Sequence, residues 1–110
     1  VLVDALHLFR SGAVAADLAG LDPDLFPYVQ LCDAPPGVFD VDEMRRQSLE
    51  QRLDPGAGEL DLAGVLRALP KGIPVNVEVP HVTRVAKIGS VAHALSVREH
   101  TERLLAAADA

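Results

Sequence analysis

The chain has 110 residues, 49% of them hydrophobic and 24% charged, values typical of a soluble globular domain, and its formal net charge is −6 at pH 7. Sixteen acidic residues outnumber ten basic ones, which argues against a nucleic-acid partner, since binding to phosphates requires clustered positive charge. The single cysteine, Cys32, excludes an intrachain disulfide, and no apolar run approaches the length of a membrane span, so we expect no membrane partner and a cytoplasmic location.

Three short apolar segments predict buried strands, at 1–3, 28–32 and 73–79. Each is brief, rich in branched or aromatic residues, and bounded by Pro, Gly or Asp. Segments with helical periodicity separate them. The chain therefore alternates strand and helix, an order that favours parallel strands joined by crossover helices, in an α/β fold.

Three helices follow from the spacing of apolar residues. The first is predicted near 14–21, and the second at 62–69, with Asp61 as its N-cap and a proline and a glycine to end it. The last is predicted to begin at Ser96 with a capping box. A long connection at 33–60 interrupts the alternation. A short helix is expected within it at 41–51, and connections of this length are more often functional than accidental.

Each predicted strand carries an oxygen-bearing side chain at or near its carboxyl end. These side chains are Asp4, Gln30 and Glu78. The carboxyl ends of parallel barrel strands share one face, where the active site lies, and oxygen ligands suit Mg²⁺ or Mn²⁺. An isolated Asp after a strand is usually a turn former or a helix cap, so the three together carry the argument. Glu78 also lies between two valines, where an unpaired buried carboxylate would be costly.

Three basic side chains are further candidates for the site. His7 follows Asp4 by three residues and has the chemistry of a general acid or base. Arg10 and Arg52 are candidate contacts for a substrate anion, and Arg52 precedes a glycine-containing loop at 55–58 where backbone can approach a ligand closely. The alternative for all three is that they are exposed loop or surface side chains with no role in a site.

Four motifs give the chain a family resemblance: those at 4–12, 28–35, 52–60 and 77–80. In their order and spacing they resemble the C-terminal part of the xylose isomerase-like TIM-barrel superfamily, which contains sugar phosphate isomerases and epimerases. The resemblance covers nearly all of 1–110. It implies one domain that supplies about strands 6–8 of a (β/α)₈ barrel, as a βαβαβα portion of an incomplete barrel.

The resemblance also implies a metal site. Family members bind one divalent ion (Mn²⁺, Mg²⁺ or Co²⁺), and Asp4, Gln30 and Glu78 would match the second, third and fourth ligands. The first ligand, a Glu on an earlier strand, has no counterpart here. His7 would match a histidine that contacts substrate, and Arg52 a loop arginine near it. Glu78 and His7 would then be catalytic, with the arginines binding substrate.

The implied reaction is proton abstraction next to a metal-bound carbonyl of a carbohydrate, in an isomerase or epimerase. Gln30 stands where epimerases commonly have His, which is similar to the 3-dehydroshikimate dehydratases and makes a lyase acting on a polyhydroxy keto acid the first alternative. The second is a non-catalytic fragment, or a half-barrel that associates with itself or with a missing N-terminal half. A barrel endonuclease is disfavoured by the acidic charge. With one ligand missing, we expect residues 1–110 alone to be inactive or nearly so.

Overall fold

A three-stranded parallel sheet lies at the centre of the chain. The computed structural model describes residues 1–109, and its strands are β1 (Val3–Asp4), β2 (Val29–Leu31) and β3 (Val75–Val77), in the order β1-β2-β3. All pairings are parallel. The predicted α/β class and incomplete barrel are therefore confirmed.

Helices connect and flank these strands. Their bounds are α1 (Ala5–Arg10), α2 (Val41–Glu50), α3 (Leu62–Ala68), α4 (Val82–Ile88) and α5 (Ser90–Ala108), with 3₁₀ turns at Ala15–Leu18 and Pro23–Leu25. Within residues 1–109, none of the helices has the length and apolar character needed to cross a membrane.

Two predicted helices form where their caps place them. The α3 helix begins after Asp61, whose Oδ1 accepts a hydrogen bond from the Gly64 backbone N–H at 3.0 Å, and it ends just before Pro70. The α2 helix begins after Asp40, whose Oδ1 accepts from the Glu43 N–H at 2.8 Å. The short helix predicted within the long connection is thus confirmed.

The helix predicted near 14–21 is wrong. The chain turns into α1 directly after β1 instead, because Asp4 Oδ1 accepts a hydrogen bond from the Leu6 N–H at 2.9 Å and caps the new helix. Only a 3₁₀ turn forms at Ala15–Leu18, since Gly12 and Gly20 both adopt positive φ angles and leave too short a stretch between them.

The start predicted for the last helix is also wrong. The α5 helix begins at Ser90 and runs through Ser96 without interruption. Ser96 Oγ donates to Asp54 at 2.6 Å instead of capping a helix end. The α4 helix was not predicted, and Gly89, at a φ of +86°, separates it from α5.

The two faces of the sheet differ in polarity, as the alternation of side chains along a strand requires. One face carries Val3, Val29 and Leu31, each at most 5% exposed, in the main core. Burying side chains of this size stabilises the fold by about 1.5–3 kcal/mol each. The opposite face carries Asp4 and Gln30, which are register partners on adjacent strands. The sheet therefore presents polar side chains on the face turned away from this core.

The long connection after β2 is held to the sheet by Asp33. Its backbone pairs with Leu53 in an antiparallel bridge, and its carboxylate accepts hydrogen bonds, at 2.9–3.0 Å, from the backbone N–H groups of Ala34, Gly56 and Leu60. A Cβ at Gly58 would overlap the Ala34 carbonyl oxygen. At Gly58 the backbone of this loop therefore packs closely against Ala34 of the same chain, where the sequence predicted a close approach to a ligand.

Candidate functional site

Five of the six predicted site residues line one open cleft of about 550 Å³: Asp4, His7, Gln30, Arg52 and Glu78. Asp4 ends β1, Gln30 lies within β2, and Glu78 directly follows β3, so the cleft opens where the three parallel strands end. The remaining lining is mostly apolar and comprises Val1, Leu2, Val3, Leu8, Leu18, Ser48 and Leu49.

Two of the predicted oxygen ligands, Asp4 and Glu78, are positioned by local backbone structure. Asp4 is 10% exposed, and one carboxylate oxygen caps α1 while the other points to the cleft. The Glu78 backbone N–H donates to the Leu31 carbonyl at 3.1 Å, which continues the pairing past β3. Its side chain is 52% exposed, so the expectation that Glu78 is buried among valines is wrong. Its charge is solvated at the mouth of the cleft.

Arg52 lies between the two acidic side chains and is only 6% exposed. Its Nη1 donates to Asp4 Oδ2 at 2.9 Å and lies 3.7 Å from Glu78 Oε2. Its Nε donates to the Ser48 carbonyl at 2.8 Å, and Nη2 donates to Ser48 Oγ at 3.2 Å. The Arg52 backbone N–H donates to the Pro80 carbonyl at 2.9 Å. Both the main chain and the side chain of Arg52 are therefore fixed.

The neighbouring groups in this cluster shift the pKa values of Arg52 and Cys32. Burial alone would lower the pKa of Arg52, but the hydrogen bond to Asp4 and neighbouring negative charge raise it above its usual value. Cys32 lies beneath the guanidinium, with Sγ 3.7 Å from Nη1. Burial raises the pKa of the Cys32 thiol to about 11, against the opposing influence of Arg52, so it stays protonated at neutral pH.

His7 occupies the rim of the cleft, on α1, with a side chain that is 62% exposed. Its Nε2 lies 3.9 Å from Asp4 Oδ2 and 3.5 Å from Arg52 Nη2. A guanidinium can only donate, so the contact with Arg52 is a hydrogen bond only when Nε2 carries a lone pair. In that form the imidazole is able to accept a proton from a bound molecule.

Comparison with solved structures finds a match over the whole chain. A solved structure, a xylose isomerase domain protein from Alicyclobacillus acidocaldarius subsp. acidocaldarius, superposes with a TM-score of 0.72 at 33% sequence identity. The match covers 100% of this chain and 38% of that one. This chain has a partial xylose isomerase-like TIM-barrel fold. The predicted resemblance is thus confirmed, and the coverage is consistent with a C-terminal portion. No protein-family model and no curated protein matches the chain.

Arg10 is the predicted site residue that the xylose isomerase-like fold does not bring into the cleft. Its Nη2 donates to Gln47 Oε1 at 2.6 Å, and its guanidinium lies 5.1 Å from the centroid of the Phe39 ring. These contacts join α1 to the segment around α2. A role in binding a substrate anion remains a prediction for Arg10.

The predicted metal ligands include the amide of Gln30, so the set has fewer than three His, Cys, Asp or Glu side chains. Nowhere in residues 1–109 do three or more His, Cys, Asp or Glu side chains form a group that could hold an ion. The predicted set has two carboxylates, Asp4 and Glu78, with Gln30 as the third member. Metal binding by this set remains a prediction.

Sequence analysis missed two residues that shape the cleft of this xylose isomerase-like chain. Ser48, in the last turn of α2, holds the guanidinium of Arg52 just beyond the helix end, and nothing in the local sequence signals this contact. Cys32 follows Gln30 by two positions and therefore shares its face of the chain. Both residues act on Arg52, which sequence analysis placed only near the substrate.

A second cluster of charged side chains lies close by and was not predicted. The Asp54 side chain is 1% exposed, and Arg84 Nη1 and Nη2 both donate to its carboxylate. Ser96 Oγ donates to it at 2.6 Å, and His100 Nδ1 lies 3.2 Å away. Burial would raise the pKa of Asp54, but the hydrogen bonds from Arg84 and Ser96 outweigh it and lower the pKa below its ordinary value.

Proposed function

We propose that this chain forms the cation- and substrate-binding cleft of a sugar isomerase or epimerase that uses one divalent metal ion, Mn²⁺, Mg²⁺ or Co²⁺. One observation carries the proposal. The carboxylates of Asp4 and Glu78, which are 74 residues apart in sequence, lie within 3.7 Å of the same cationic atom, Arg52 Nη1, in a cleft at the strand ends. The fold thus gathers negative charge around one cationic position.

The donor set fits a hard divalent ion. Carboxylate and amide oxygens are the ligands that Mg²⁺ and Mn²⁺ prefer, and Asp4, Gln30 and Glu78 supply both kinds. A bound divalent ion would supply Lewis-acid polarisation of a substrate carbonyl. The accessible position of Glu78 suits it to hold the ion and to accept a proton from the substrate carbon beside the carbonyl.

The other cleft residues support a polyhydroxylated substrate. His7 is placed at the rim to bind a hydroxyl group or to move its proton, because its Nε2 faces the cleft beside Asp4. Arg52 would contact an anionic or carbonyl oxygen of the substrate. The volume of about 550 Å³ accommodates a monosaccharide or a small keto acid.

A dehydratase acting on a 3-dehydroshikimate-like keto acid is the second candidate. The observation in its favour is Gln30, the register partner of Asp4, at the position where the resemblance leads one to expect His in epimerases. In that reaction His7 would be the base, and Arg52 would bind the substrate carboxylate. The two candidates share the proton abstraction. The dehydratase would then lose water from the β-carbon, whereas the isomerase or epimerase would return a proton to the substrate and lose no group.

Metal binding is tested by titrating the chain with Mn²⁺ and measuring the free ion by electron paramagnetic resonance. Asp4→Asn and Glu78→Gln should each weaken binding by about tenfold or more, because each removes one charge facing the ion. Asp42→Asn is the matched control, since Asp42 is an exposed carboxylate on α2. Equal affinity in all four proteins would contradict the proposed site.

The reaction is tested in a chimera. This chain covers 38% of the Alicyclobacillus protein, so it can replace the matching segment there and be supplied with the rest of a barrel. Ketoses in D₂O report isomerase or epimerase proton exchange, and 3-dehydroshikimate reports dehydration by the absorbance of protocatechuate. A folded chimera that binds Mn²⁺ but shows neither reaction would favour the non-catalytic alternative.

A further inference from the structure

The nitrogens of the Arg52 guanidinium have different partners. Nη1 alone contacts the predicted metal ligands, at 2.9 Å from Asp4 Oδ2 and 3.7 Å from Glu78 Oε2. Nε and Nη2 are held by the carbonyl and hydroxyl of Ser48. Ser48 therefore holds one edge of the planar guanidinium, and a tilt of the plane about that edge would move Nη1 away from the carboxylates while Ser48 retains the side chain.

The carboxylate oxygen that Arg52 uses is also the one a cation would need. Asp4 Oδ1 accepts the capping hydrogen bond from Leu6, so Oδ2 is the oxygen that faces the cleft. A divalent ion and the Arg52 Nη1 group cannot both contact this oxygen at close range without strong repulsion between like charges in a site that is largely shielded from water. The two cations are alternatives.

We propose that Arg52 and a divalent ion compete for Asp4, so that binding of the ion releases the Arg52 guanidinium to bind an anionic group of the substrate. This inference rests on the proposed metal site, and it adds that binding of the ion controls whether Arg52 is available to the substrate. Without the ion, Arg52 neutralises the two carboxylates. With the ion bound, the same guanidinium remains in the cleft with a free donor.

The surroundings of Arg52 favour an anion as its second partner. Nη2 lies 3.5 Å from His7 Nε2 on the same wall, so the guanidinium and the imidazole can face the same oxygen of a bound anion. The anion would be a carboxylate or a phosphate, since both present several negatively charged acceptor oxygens to a guanidinium. Because coupling between two sites is reciprocal, the anion should strengthen binding of the ion as much as the ion strengthens binding of the anion.

The competition is tested with Mn²⁺ alone. Arg52→Met should tighten Mn²⁺ binding by about tenfold, and Ser48→Ala, which removes one of the hydrogen bonds that fix the guanidinium, should change the affinity less. Arg45→Met is the matched control, because Arg45 is exposed on α2 and the substitution makes the same change in net charge. Circular dichroism checks folding. If Arg52→Met unfolds, Arg52→Gln, which also removes the positive charge, decides, and an Mn²⁺ affinity equal to that of the parent chain overturns the proposal.

The release is tested with anions. Sulfate and acetate, titrated with and without Mg²⁺, represent phosphate and carboxylate groups. At least one should bind about tenfold more tightly with Mg²⁺ to the parent chain, and this gain should disappear in Arg52→Met. A gain that survives in Arg52→Met, or no gain for either anion, overturns the proposal. If Mn²⁺ binds well but equally to the parent, Arg52→Met and Arg45→Met proteins, only the competition fails. If Mn²⁺ binds to none of them, the proposed function fails as well.

Discussion

Two aspartate–arginine pairs lie close together in this chain and differ in what surrounds them. Arg52 pairs with Asp4 at the cleft, and two residues later Asp54 pairs with Arg84. Asp54 receives two further polar contacts, from Ser96 and His100 on α5, and its side chain is 1% exposed. The Asp4 carboxylate accepts hydrogen bonds from the helix that it caps and from one arginine, with His7 Nε2 3.9 Å away, and its second oxygen faces the cleft.

This difference suggests a structural role for the Asp54 pair and a ligand-binding role for the Asp4 pair. A buried carboxylate that is fully satisfied by groups from several elements fixes those elements in place, as Asp54 does for the long connection, α4 and α5. A carboxylate whose second oxygen has a single displaceable partner can exchange that partner for a ligand. The same pair of residue types therefore forms a structural contact at one place and a candidate binding site at the other.

The largest expected effect is on the Asp54 cluster. Asp54→Ala should lower the free energy of unfolding by about 3–5 kcal/mol, because it leaves the charge of Arg84 without its partner. Urea denaturation measures the change. Glu43→Gln, which breaks an exposed ion pair with Arg46 on α2, is the control and should leave the urea midpoint nearly unchanged. Similar losses in both proteins would show that Asp54 does not fix the fold.

The same cluster should make stability depend on acidity. The pKa of Asp54 is lowered in the folded chain, so its contribution is fully present above the ordinary aspartate pKa of about 4 and is lost as the pH falls through the lowered value. Urea midpoints measured from about pH 6 to pH 2 should fall less steeply in Asp54→Asn than in the parent chain. Parallel curves would contradict this assignment.

A smaller effect is expected for Asp4, which is a helix cap and an ion-pair partner at once. Asp4→Ala should lower the free energy of unfolding by about 2–4 kcal/mol, since it removes both interactions. Asp4→Asn should cost about 1 kcal/mol less, because asparagine also caps helices well. Thermal and urea unfolding compare the two variants. Equal losses would mean that the cap contributes little to α1.

The smallest expected effect is for Glu78. Because its side chain is 52% exposed, Glu78→Gln should change the free energy of unfolding by no more than about 0.5 kcal/mol. The same substitution is expected to weaken Mn²⁺ binding strongly. A large loss of stability would place Glu78 with Asp54 among the structural carboxylates, and the comparison between the two clusters would no longer hold.

The strands and the cleft follow from the sequence because both depend on short-range patterns. Apolar runs predict the three strands, and the polar residues at their ends predict which side chains meet at the cleft. Asp4, Gln30 and Glu78 come from three separate segments, and the parallel order of the sheet alone brings them to one edge. The resemblance to the xylose isomerase-like family agrees with that order.

The remaining features depend on contacts between distant residues. Nothing local in the sequence around Asp54 shows that Arg84 and Ser96 will reach it from 30 and 42 residues away. The same contact explains why Ser96 misled the prediction of a helix start. Gly89 divides α4 from α5 only because the chain adopts a positive φ there, and the glycine by itself does not show that.

The Asp33 clamp has a practical consequence for engineering the chain. Residues 52–58 are tied to β2 by that carboxylate and by the Leu53 bridge, whereas Val38, earlier in the same connection, is fully exposed. A protease should cut first around residues 36–40, and an inserted epitope or fluorophore tag should be tolerated there. The same insertion at Gly58 should unravel the connection, since that position has no space even for a methyl group.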